Sequence, residues 1–321
     1  MSRTSFERTL LSDGERREPA PLLRRPGFGR TFSDHMVVAC WSGDRGWHGQ
    51  RIMPYQDLSL APSAMVFHYG QAIFEGLKAY RMPDSGIGMF RPEENARRFH
   101  RSAVRMAMPP LGEDLFVDAC VELVLTDRDW VPSQPGQSLY LRPFMIATEA
   151  ALGVRPAREY MFVVIASPSD PFFSAEPTPI RTWISTDYSR AAPGGTGAAK
   201  CAGNYAASLA AHAQAIAAGC DQVIWLDACE RRWVEELGGM NVYFVKNTGD
   251  GRPLLLTPPL SETILAGITR DSIAVLANDF GYEVQEARID VNDLLRGCER
   301  GEIVEAFACG TAAVIAPIGE L

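Results

Sequence analysis

The segment APGGTGAAKCAGNY, residues 192–205, is the most informative stretch of the chain. It predicts a loop of small residues that contains Lys200 and leads into an Ala-rich helix over 204–218. No Asp or Glu occurs between Asp187 and Asp221. An amine that is removed from water and lacks a nearby carboxylate loses its proton more readily, and the neutral amine is a nucleophile that can form a Schiff base. These residues alone leave two interpretations open, a reactive amine or an ordinary solvated loop lysine.

A third interpretation of this loop, a phosphate-binding loop of the pattern G-x-x-x-x-G-K-[ST], does not fit. The residue before Lys200 is Ala199 and the one after it is Cys201, so the second Gly and the magnesium-binding hydroxyl are both absent. We therefore do not expect a nucleoside triphosphatase. Lysine occurs only at positions 78, 200 and 246, although Lys and Arg together number 31. This rarity makes each lysine a candidate for a specific role.

The composition indicates a globular protein of ordinary type. The chain has 321 residues, of which 46% are hydrophobic and 22% charged, and its formal net charge is −8. These values exclude disordered, collagen-like and disulfide-stapled chains. The negative charge argues against nucleic acid or an anionic membrane surface as the main partner. At roughly 100–200 residues per domain, the length predicts two domains.

The cysteines and the N-terminus bear on where the protein works. The seven cysteines are odd in number and include no C-x-x-C pair, so we predict neither a disulfide framework nor a metal site. No apolar run approaches the roughly 18–20 residues of a membrane span. The first 18 residues lack the apolar core of a secretory signal, although their arginines leave an organelle transit segment as an alternative. We expect a cytoplasmic enzyme.

A Pro-rich stretch divides the chain, since residues 167–179 contain four prolines in 13 positions. Before it, we predict strands at 36–41, 67–69, 72–81, 88–90, 139–147 and 159–166, and helices from Arg91 and over 114–126. After it, we predict strands at 181–186, 223–226 and 240–246, a helix over 264–280, and a turn and strand over 306–317. The predicted organisation is an N-terminal tail (1–30), a small N-terminal α/β domain (31–166), a linker (167–180) and a larger C-terminal cofactor-binding domain (181–321).

Several motifs together carry a resemblance to a known family. They are KCAGNY at 200–205, GCDQVIWL at 219–226, EELGGMN at 235–241, YGQAIFEGLKAYR at 69–81, SLYLRP at 138–143, LSETILAGITRD at 260–271 and CGTAA at 309–313. In this order and spacing they resemble the branched-chain amino-acid aminotransferases, pyridoxal 5'-phosphate enzymes of aminotransferase class IV. The resemblance covers about residues 30 to 321. It implies a two-domain α+β fold (fold type IV), with a small α/β N-terminal domain and a larger C-terminal domain built on a pseudo-barrel sheet.

The resemblance also implies which residues hold the cofactor. Lys200 matches the Schiff-base lysine, which also acts as the general base, and Tyr205 matches the phenol that bonds the ring oxygen. Glu236 matches the carboxylate facing the pyridine nitrogen; a surface glutamate is the ordinary alternative, and its neighbour Glu235 is the rival. Arg98 matches the phosphate-binding arginine, although it shares its helix with four other arginines that would suit a solvated basic face. The amides of Ile268 and Thr269, together with Thr311, complete the implied phosphate cradle.

A second implied set of residues binds the substrate. Tyr69, Phe74 and Tyr140 match the aromatic walls of a side-chain pocket that takes leucine, isoleucine or valine by apolar burial. Arg142 resembles the residue that meets the distal carboxylate of glutamate, with a structural ion pair at a strand end as its alternative. The amides of Gly239 and Ala312 resemble the α-carboxylate site. Leu152 and Val154 resemble a loop that reaches the neighbouring subunit, which implies a homodimer or a higher homo-oligomer.

The chain departs from the family pattern at several positions, and related activities stay open. D-amino-acid aminotransferases and aminodeoxychorismate lyases share this fold and the same lysine, glutamate and tyrosine, and they stay the alternative function. A non-catalytic binding protein would be expected to have lost Lys200 or Glu236. Gly239 stands where some members carry Thr, Ala266 replaces a usual Pro, and Ala313 and Ala316 replace a C-x-x-C redox pair. Relatives continue past the position of Leu321, so we expect the C-terminal domain to be incomplete.

Overall fold

The computed structural model describes residues 4–84, 86–171, 178–249 and 252–321. These residues form two compact units. The first contains the described residues up to 171 together with 199–202, and the second contains 178–198 and 203–321. The Lys200 peptide therefore belongs to the first unit, although the residues on both sides of it in sequence belong to the second.

The first unit is built on an eight-stranded sheet. Its strands are β1 (Glu7–Arg8), β2 (His35–Ser42), β3 (Gly46–Pro54), β4 (Ala72–Phe74), β5 (Leu77–Arg81), β6 (Ile87–Met89), β7 (Ser138–Ala147) and β8 (Glu159–Ser169). The order is β1-β3-β2-β8-β7-β5-β6, with β4 also paired to β7. All these pairs are antiparallel except β1 with β3.

Helices pack on this sheet through aromatic side chains. They are α1 (Pro19–Leu22), α2 (Met65–Tyr69), α3 (Pro92–Arg105) and α4 (Glu113–Thr126), followed by a 3₁₀ turn at Arg128–Trp130. Phe99 of α3 and Phe116 of α4 both contact Phe162 of β8, with ring centroids 5.6 and 6.1 Å away. A proline and two glutamates occupy the first turn of α3, where both residue types are favourable. The two helices predicted in this part of the chain are confirmed.

Two predictions in the first unit are wrong in detail. The segment 67–69, predicted as a strand, is the end of α2, which Gly70 terminates in the left-handed conformation at φ 63°. The strand predicted over 72–81 is interrupted at Glu75 and Gly76. A Cβ on Gly76 would lie 2.0 Å from the Tyr140 hydroxyl, so only glycine allows this close approach. Glu75 and Gly76 have no paired residue on β7, although the Glu75 amide still donates to the Pro143 carbonyl.

The N-terminal residues are attached to the sheet of the first unit. Glu7 and Arg8 pair in parallel with β3. The Leu11 amide donates to His35 Nε2 at 3.1 Å, and the opposite ring nitrogen, Nδ1, lies 2.6 Å from an oxygen of Asp127. Both ring nitrogens of the buried His35 therefore have partners, and the ring connects the N-terminal segment to the end of α4.

The second unit contains another eight-stranded sheet. Its strands are β9 (Ile180–Ile184), β10 (Gln222–Leu226), β11 (Val234–Leu237), β12 (Asn241–Asn247), β13 (Pro253–Thr257), β14 (Glu283–Glu286), β15 (Ile303–Gly310) and β16 (Val314–Glu320). The order is β11-β10-β9-β16-β15-β12-β13-β14. Ile224, Leu237, Val242 and Phe244 form the centre of its apolar core. The mixture of helices and sheets in the two units agrees with the predicted α+β class.

Helices of the second unit begin and end differently from the prediction. They are α5 (Ala202–Ala206), α6 (Leu209–Ala217), α7 (Ile268–Asp279) and α8 (Val291–Glu299). The helix predicted over 204–218 is divided into α5 and α6, and the helix predicted over 264–280 begins only at Ile268. Leu265 precedes α7 in an irregular segment because its amide donates to Glu236 rather than to a helical carbonyl. No helix among the described residues is long and apolar enough to cross a membrane.

The predicted linker spans parts of two strands. Residues 167–169 complete β8, and β9 begins at Ile180. The amide of Asp170 donates to the Gly27 carbonyl, and the Asp170 carboxylate accepts from the Gly27 amide, each at 3.0 Å. Residues 172–177 of this stretch lie outside the described residues.

Candidate active site

Lys200 is fixed by its backbone within the first unit. Its N–H donates to Ser102 Oγ of α3 at 2.9 Å, and its carbonyl accepts from the Phe74 amide at 3.0 Å. The next residue, Cys201, bridges Ile73 on β4. The Lys200 amine lies 5.0 Å from the centroid of the Phe74 ring. The loop lysine is therefore anchored at both of its peptide groups, beside an aromatic residue that the sequence predicted for the substrate pocket.

Arg98 is buried, unlike the other arginines in the middle and at the end of α3. It is 5% exposed, whereas Arg97, Arg101 and Arg105 all face solvent. Its Nε and Nη2 donate to the two carboxylate oxygens of Glu75 at 2.7 and 2.9 Å. The helix therefore has a solvated basic face, as the alternative interpretation supposed, but Arg98 is not part of it.

Glu75 itself is fully buried beside Lys200 and Arg98. Burial raises the pKa of its carboxyl, but the charge and hydrogen bonds of Arg98, the charge of Lys200 and the side-chain amide of Asn95 together outweigh this effect. The net shift of the Glu75 pKa is downward. The first unit thus contains an ionised carboxylate that is shared electrostatically by two cations predicted to bind the cofactor.

Three of the residues predicted to meet the substrate side chain, Phe74, Tyr140 and Arg142, lie together on the sheet of the first unit. The Arg142 guanidinium carbon lies 4.8 Å from the ring centroid of Phe74 and 5.4 Å from that of Tyr140. Arg142 Nη2 also donates to the Tyr140 hydroxyl at 3.2 Å. Phe28, which the sequence analysis missed, packs edge-on against Tyr140 with centroids 5.1 Å apart. This group combines aromatic surface with one guanidinium.

Tyr69 and the loop that carries Leu152 and Val154 form a second group in the first unit. The Tyr69 hydroxyl donates to the Leu152 carbonyl. Leu152 is 65% exposed and Val154 is 86% exposed. Among the described residues of this chain, nothing covers these two apolar side chains.

Glu236 lies at the centre of a buried polar network in the second unit. Its Oε1 accepts from the Leu265 amide at 2.9 Å and from Asn241 Nδ2 at 3.3 Å. Its Oε2 forms an ion pair with Arg190 Nε at 2.7 Å, and both side chains are almost completely buried. Arg190 Nη2 also donates to the carbonyls of Gly197 and Thr263. The carboxylate is thus held at both oxygens in one orientation.

Glu235 occupies a different environment from its neighbour. It accepts a hydrogen bond from Thr263 Oγ1, and its second carboxylate oxygen is buried without a hydrogen-bond partner. Burial raises the pKa of its carboxyl, and the Thr263 hydrogen bond and the charge of Arg190 only partly oppose this shift. Because alternate residues of a strand point to opposite faces, the two carboxylates have different hydrogen-bond partners, although the charge of Arg190 acts on both. Glu236 is the one that shares a cavity with Tyr205.

That small cavity has a wall made of the turn between β11 and β12. Gly238 and Gly239 line it together with Tyr205, Glu236 and Arg190. Gly238 adopts φ 56°, and a Cβ at Gly239 would lie 3.3 Å from a Tyr205 ring carbon. The structure therefore brings three residues predicted for the site together: Tyr205, Glu236 and Gly239.

The predicted phosphate-binding amides belong to the beginning of α7. Ile268 and Thr269 are its first two residues, and the first turn of a helix leaves amides without intrahelical acceptors. A Cβ on Gly267, the residue before them, would lie 1.9 Å from Asn241 Oδ1, so this end of the helix approaches β12 closely. The helix N-terminus is thereby fixed beside a residue that also bonds Glu236.

Thr311 and Ala312 belong to the turn between β15 and β16. Antiparallel pairing sets Asn241, at the start of β12, opposite Cys309, near the end of β15. The 311–313 turn and the 238–239 turn therefore lie at the same end of the sheet. The pairing does not by itself bring Thr311 to Ile268 and Thr269, so its part in a phosphate cradle stays a prediction.

Three functional candidates were missed by the sequence analysis: Arg190, Glu75 and Phe28. The sequence did contain a signal for Arg190, because Arg190 and Lys200 are the only Arg or Lys residues between Asp187 and Asp221. A lone guanidinium in a stretch without carboxylates needs a distant partner. Glu75 and Phe28 carry no comparable signal, since FEG is one triplet within a longer motif and Phe28 lies in the predicted tail.

Comparison with known protein sequences gives a clear family match. The sequence profile of the class IV amino-transferase family matches residues 72–321. A "probable branched-chain-amino-acid aminotransferase" of Streptomyces coelicolor is 56% identical over 310 residues, which are 96% of this chain and 83% of that protein. The branched-chain-amino-acid aminotransferase of Mycolicibacterium smegmatis is 54% identical, over 94% of this chain and 82% of that protein.

Solved structures agree with the sequence comparison. The Escherichia coli branched-chain amino acid aminotransferase matches with TM-score 0.72 and 29% identity, covering 89% of this chain and 86% of that one. The Thermobaculum terrenum enzyme in its PLP-form (holo-form) matches with TM-score 0.66 and 25% identity, covering 87% of this chain and 84% of that one. The predicted fold type IV is confirmed. The chain therefore belongs to the class IV aminotransferases, and it is a pyridoxal-phosphate-dependent transaminase.

Proposed function

We propose that this chain transfers the amino group between L-leucine, L-isoleucine or L-valine and 2-oxoglutarate, with L-glutamate as the other amino acid of the pair. The names of the relatives at 54% and 56% identity support this substrate class. The observation in the structure that supports it most is the Arg142 guanidinium, which lies close to the rings of both Phe74 and Tyr140. A pocket of this kind offers apolar surface to a branched side chain and a cation to a dicarboxylate.

The residues present fit pyridoxal 5'-phosphate. The first unit offers the Lys200 amine for the aldehyde and the buried Arg98 guanidinium for the phosphate. The second unit offers the Glu236 carboxylate for the ring nitrogen, the Tyr205 hydroxyl for the ring oxygen, and the amides of Ile268 and Thr269 with Thr311 for the phosphate. When bound, the cofactor supplies an electron sink for the carbanion formed at the substrate α-carbon.

Lys200 and Glu236 are the residues that control the protons in the proposed reaction. We propose that the Lys200 amine acts as a general base that takes the proton from the substrate α-carbon. It then acts as a general acid that delivers a proton to the C4′ atom of the cofactor. Glu236 keeps the proton on the ring nitrogen, because an ionised carboxylate favours the charged form of its partner. Its two oxygens are already oriented by Leu265, Asn241 and Arg190, so little reorganisation is needed when the reaction begins.

We propose that one pocket receives both kinds of substrate. Tyr69, Phe74 and Tyr140 take the branched side chain at about 0.8 kcal/mol per buried methylene, so selectivity among leucine, isoleucine and valine is expected to be weak. Arg142 pairs with the distal carboxylate of glutamate. The turn amides at Gly239 and Ala312 bind the α-carboxylate that all of these substrates share.

We also propose that the protein works as a homodimer or a higher homo-oligomer. The strongly exposed Leu152 and Val154 support this proposal, because apolar side chains on a loop gain stability when a partner covers them. Light scattering coupled to size-exclusion chromatography measures the mass directly. A monomer that retains full activity would contradict a contribution of this loop to a neighbouring subunit.

A cytoplasmic location is a further proposal. All seven cysteines are unpaired in the structure, which suits a reducing compartment. Fractionation of cells that express the tagged protein tests this location, and recovery of the protein outside the cytoplasmic fraction would contradict it.

The proposed reaction is tested by amino-donor screening. Purified protein should show the visible absorbance of the bound cofactor, and incubation with 2-oxoglutarate should yield glutamate from L-leucine, L-isoleucine and L-valine. D-alanine and aminodeoxychorismate test the alternative functions of the same fold. Turnover of either one in preference to L-leucine would overturn the proposed substrate class.

A further inference from the structure

We propose that Glu75 is a positioning residue for the cofactor phosphate: it holds the Arg98 guanidinium in the one orientation that binds the phosphate. This inference rests on the proposed role of Arg98 in cofactor binding. Glu75 would not touch the cofactor, and its effect on the affinity for the phosphate would be transmitted through Arg98.

The Arg98–Glu75 pair is bidentate. The two oxygens of Glu75 accept from Nε and Nη2 of Arg98 at 2.7 and 2.9 Å, so the planar guanidinium cannot rotate without breaking both bonds. These bonds use two of the five N–H groups of the guanidinium. The carboxylate is bound to one edge of the guanidinium, and this fixes the direction in which the other N–H groups point.

Glu75 is itself held from several directions. Its Oε2 accepts from Asn95 Nδ2 at 2.8 Å and from the Gly76 amide at 3.1 Å, and its own amide donates to the Pro143 carbonyl at 2.7 Å. Asn95 and Arg98 are three residues apart on α3, so both reach Glu75 from one face of the helix. Glu75 lies in the interruption between β4 and β5.

A purely structural role is a weaker account of the pair. Burying two charges costs free energy that their attraction often fails to recover, so a buried ion pair is poor evidence for stability. A positioning role accounts for the pair in another way, because two charge-assisted hydrogen bonds fix the direction of the buried guanidinium. An arginine already fixed in direction loses less conformational entropy when an anion binds, and this gain appears as affinity.

The test compares two ligands that differ only in the phosphate. Affinities of the full-length chain for pyridoxal 5'-phosphate and for pyridoxal are measured by absorbance titration. Glu75→Gln removes the charge and can offer only one acceptor oxygen, so we expect about a tenfold or larger loss of affinity for pyridoxal phosphate. The affinity for pyridoxal should change by less than about threefold.

Two further variants separate position from charge. Glu75→Asp keeps the negative charge but shortens the side chain, so it should also lose affinity for the phosphorylated ligand. In an Arg98→Met background, Glu75→Gln should have no additional effect on the ratio of the two affinities. Glu94→Gln is the matched control, because Glu94 pairs with Arg97 on the solvated part of α3 and should leave both affinities unchanged.

The outcomes lead to different conclusions. Equal losses for both ligands, accompanied by a lower melting temperature, would show a structural role and overturn the proposal. A gain in pyridoxal phosphate affinity in Glu75→Gln, or wild-type affinity in Glu75→Asp, would show that only the charge of Glu75 matters and would overturn it too. The unmodified chain should bind pyridoxal phosphate more tightly than pyridoxal, and Arg98→Met should reduce this difference. If either expectation failed, the proposed cofactor site itself would be contradicted, independently of Glu75.

Discussion

Replacing Arg142 by methionine separates the two halves of the proposed reaction. Methionine keeps much of the apolar stem of arginine but removes the guanidinium that lies 4.8 Å from the Phe74 ring and donates to Tyr140. The half-reaction with leucine should then keep its apolar contacts. The half-reaction with glutamate or 2-oxoglutarate should lose the partner of its distal carboxylate.

The size of this loss follows from the kind of contact removed. A hydrogen bond to a charged group contributes about 1.5–3 kcal/mol, which corresponds to roughly a 10- to 100-fold change in specificity. Within the described part of the chain, no carboxylate forms an ion pair with Arg142, and its Nε is buried without a hydrogen-bond partner. The variant therefore breaks no internal salt bridge there, and we expect its melting temperature to change little.

Single-turnover kinetics with each substrate measures the two half-reactions independently. The specificity constant for glutamate should fall by roughly 10- to 100-fold more than that for leucine. Equal losses for both substrates, especially with reduced thermal stability, would refute dual recognition by Arg142. They would instead indicate that the guanidinium supports the packing of Phe74 and Tyr140.

Three other substitutions test the catalytic groups. Lys200→Ala should abolish turnover, and a borohydride-stable attachment of the cofactor in this variant would contradict the assignment of Lys200. Glu236→Gln should reduce turnover by orders of magnitude because a neutral amide cannot keep the ring nitrogen protonated; Glu235→Gln should be mild by comparison, and the reverse order in steady-state assays would mean that the two carboxylates are misassigned. Arg190→Met should lower both turnover and melting temperature, because it leaves Glu236 buried without its counter-charge at a typical cost of about 3–5 kcal/mol; thermal unfolding that matches the wild type would argue against this ion pair.

The family and the order of the elements could be predicted from sequence because they depend on local patterns. The start of α3 follows from a proline and two acidic residues in one turn, and the β12 strand from a continuous apolar run. Motifs around Lys200 and Glu236 carried the family resemblance. Each of these signals lies within a short stretch of sequence.

Features that depend on distant residues could not be predicted in this way. The need for glycine at position 76, where the strand is interrupted, comes from the Tyr140 hydroxyl, which is more than 60 positions away in sequence. The late start of α7 follows from the hydrogen bond between Leu265 and Glu236. Propensity favours a longer strand and a longer helix at these places, and tertiary contacts override it.

The same reason explains which site residues were missed. Arg190 becomes significant only because the fold brings it to Glu236, 46 positions later in the chain. Glu75 becomes significant only because α3 presents Arg98 and Asn95 to it. In both cases the sequence contains the charged residue, but its partner is defined only by the three-dimensional structure.

The contacts of Arg190 have a consequence for how such an enzyme can diversify. One guanidinium joins the strand that carries Glu236, the carbonyl of Gly197 in the lysine loop and the carbonyl of Thr263 ahead of α7. Mutations in any of these segments are therefore constrained by the other two. Phe74 and Arg142 lie on strands of the first unit, outside this set of bonds, so side-chain substitutions at these two positions can alter substrate preference without disturbing the contacts of Arg190.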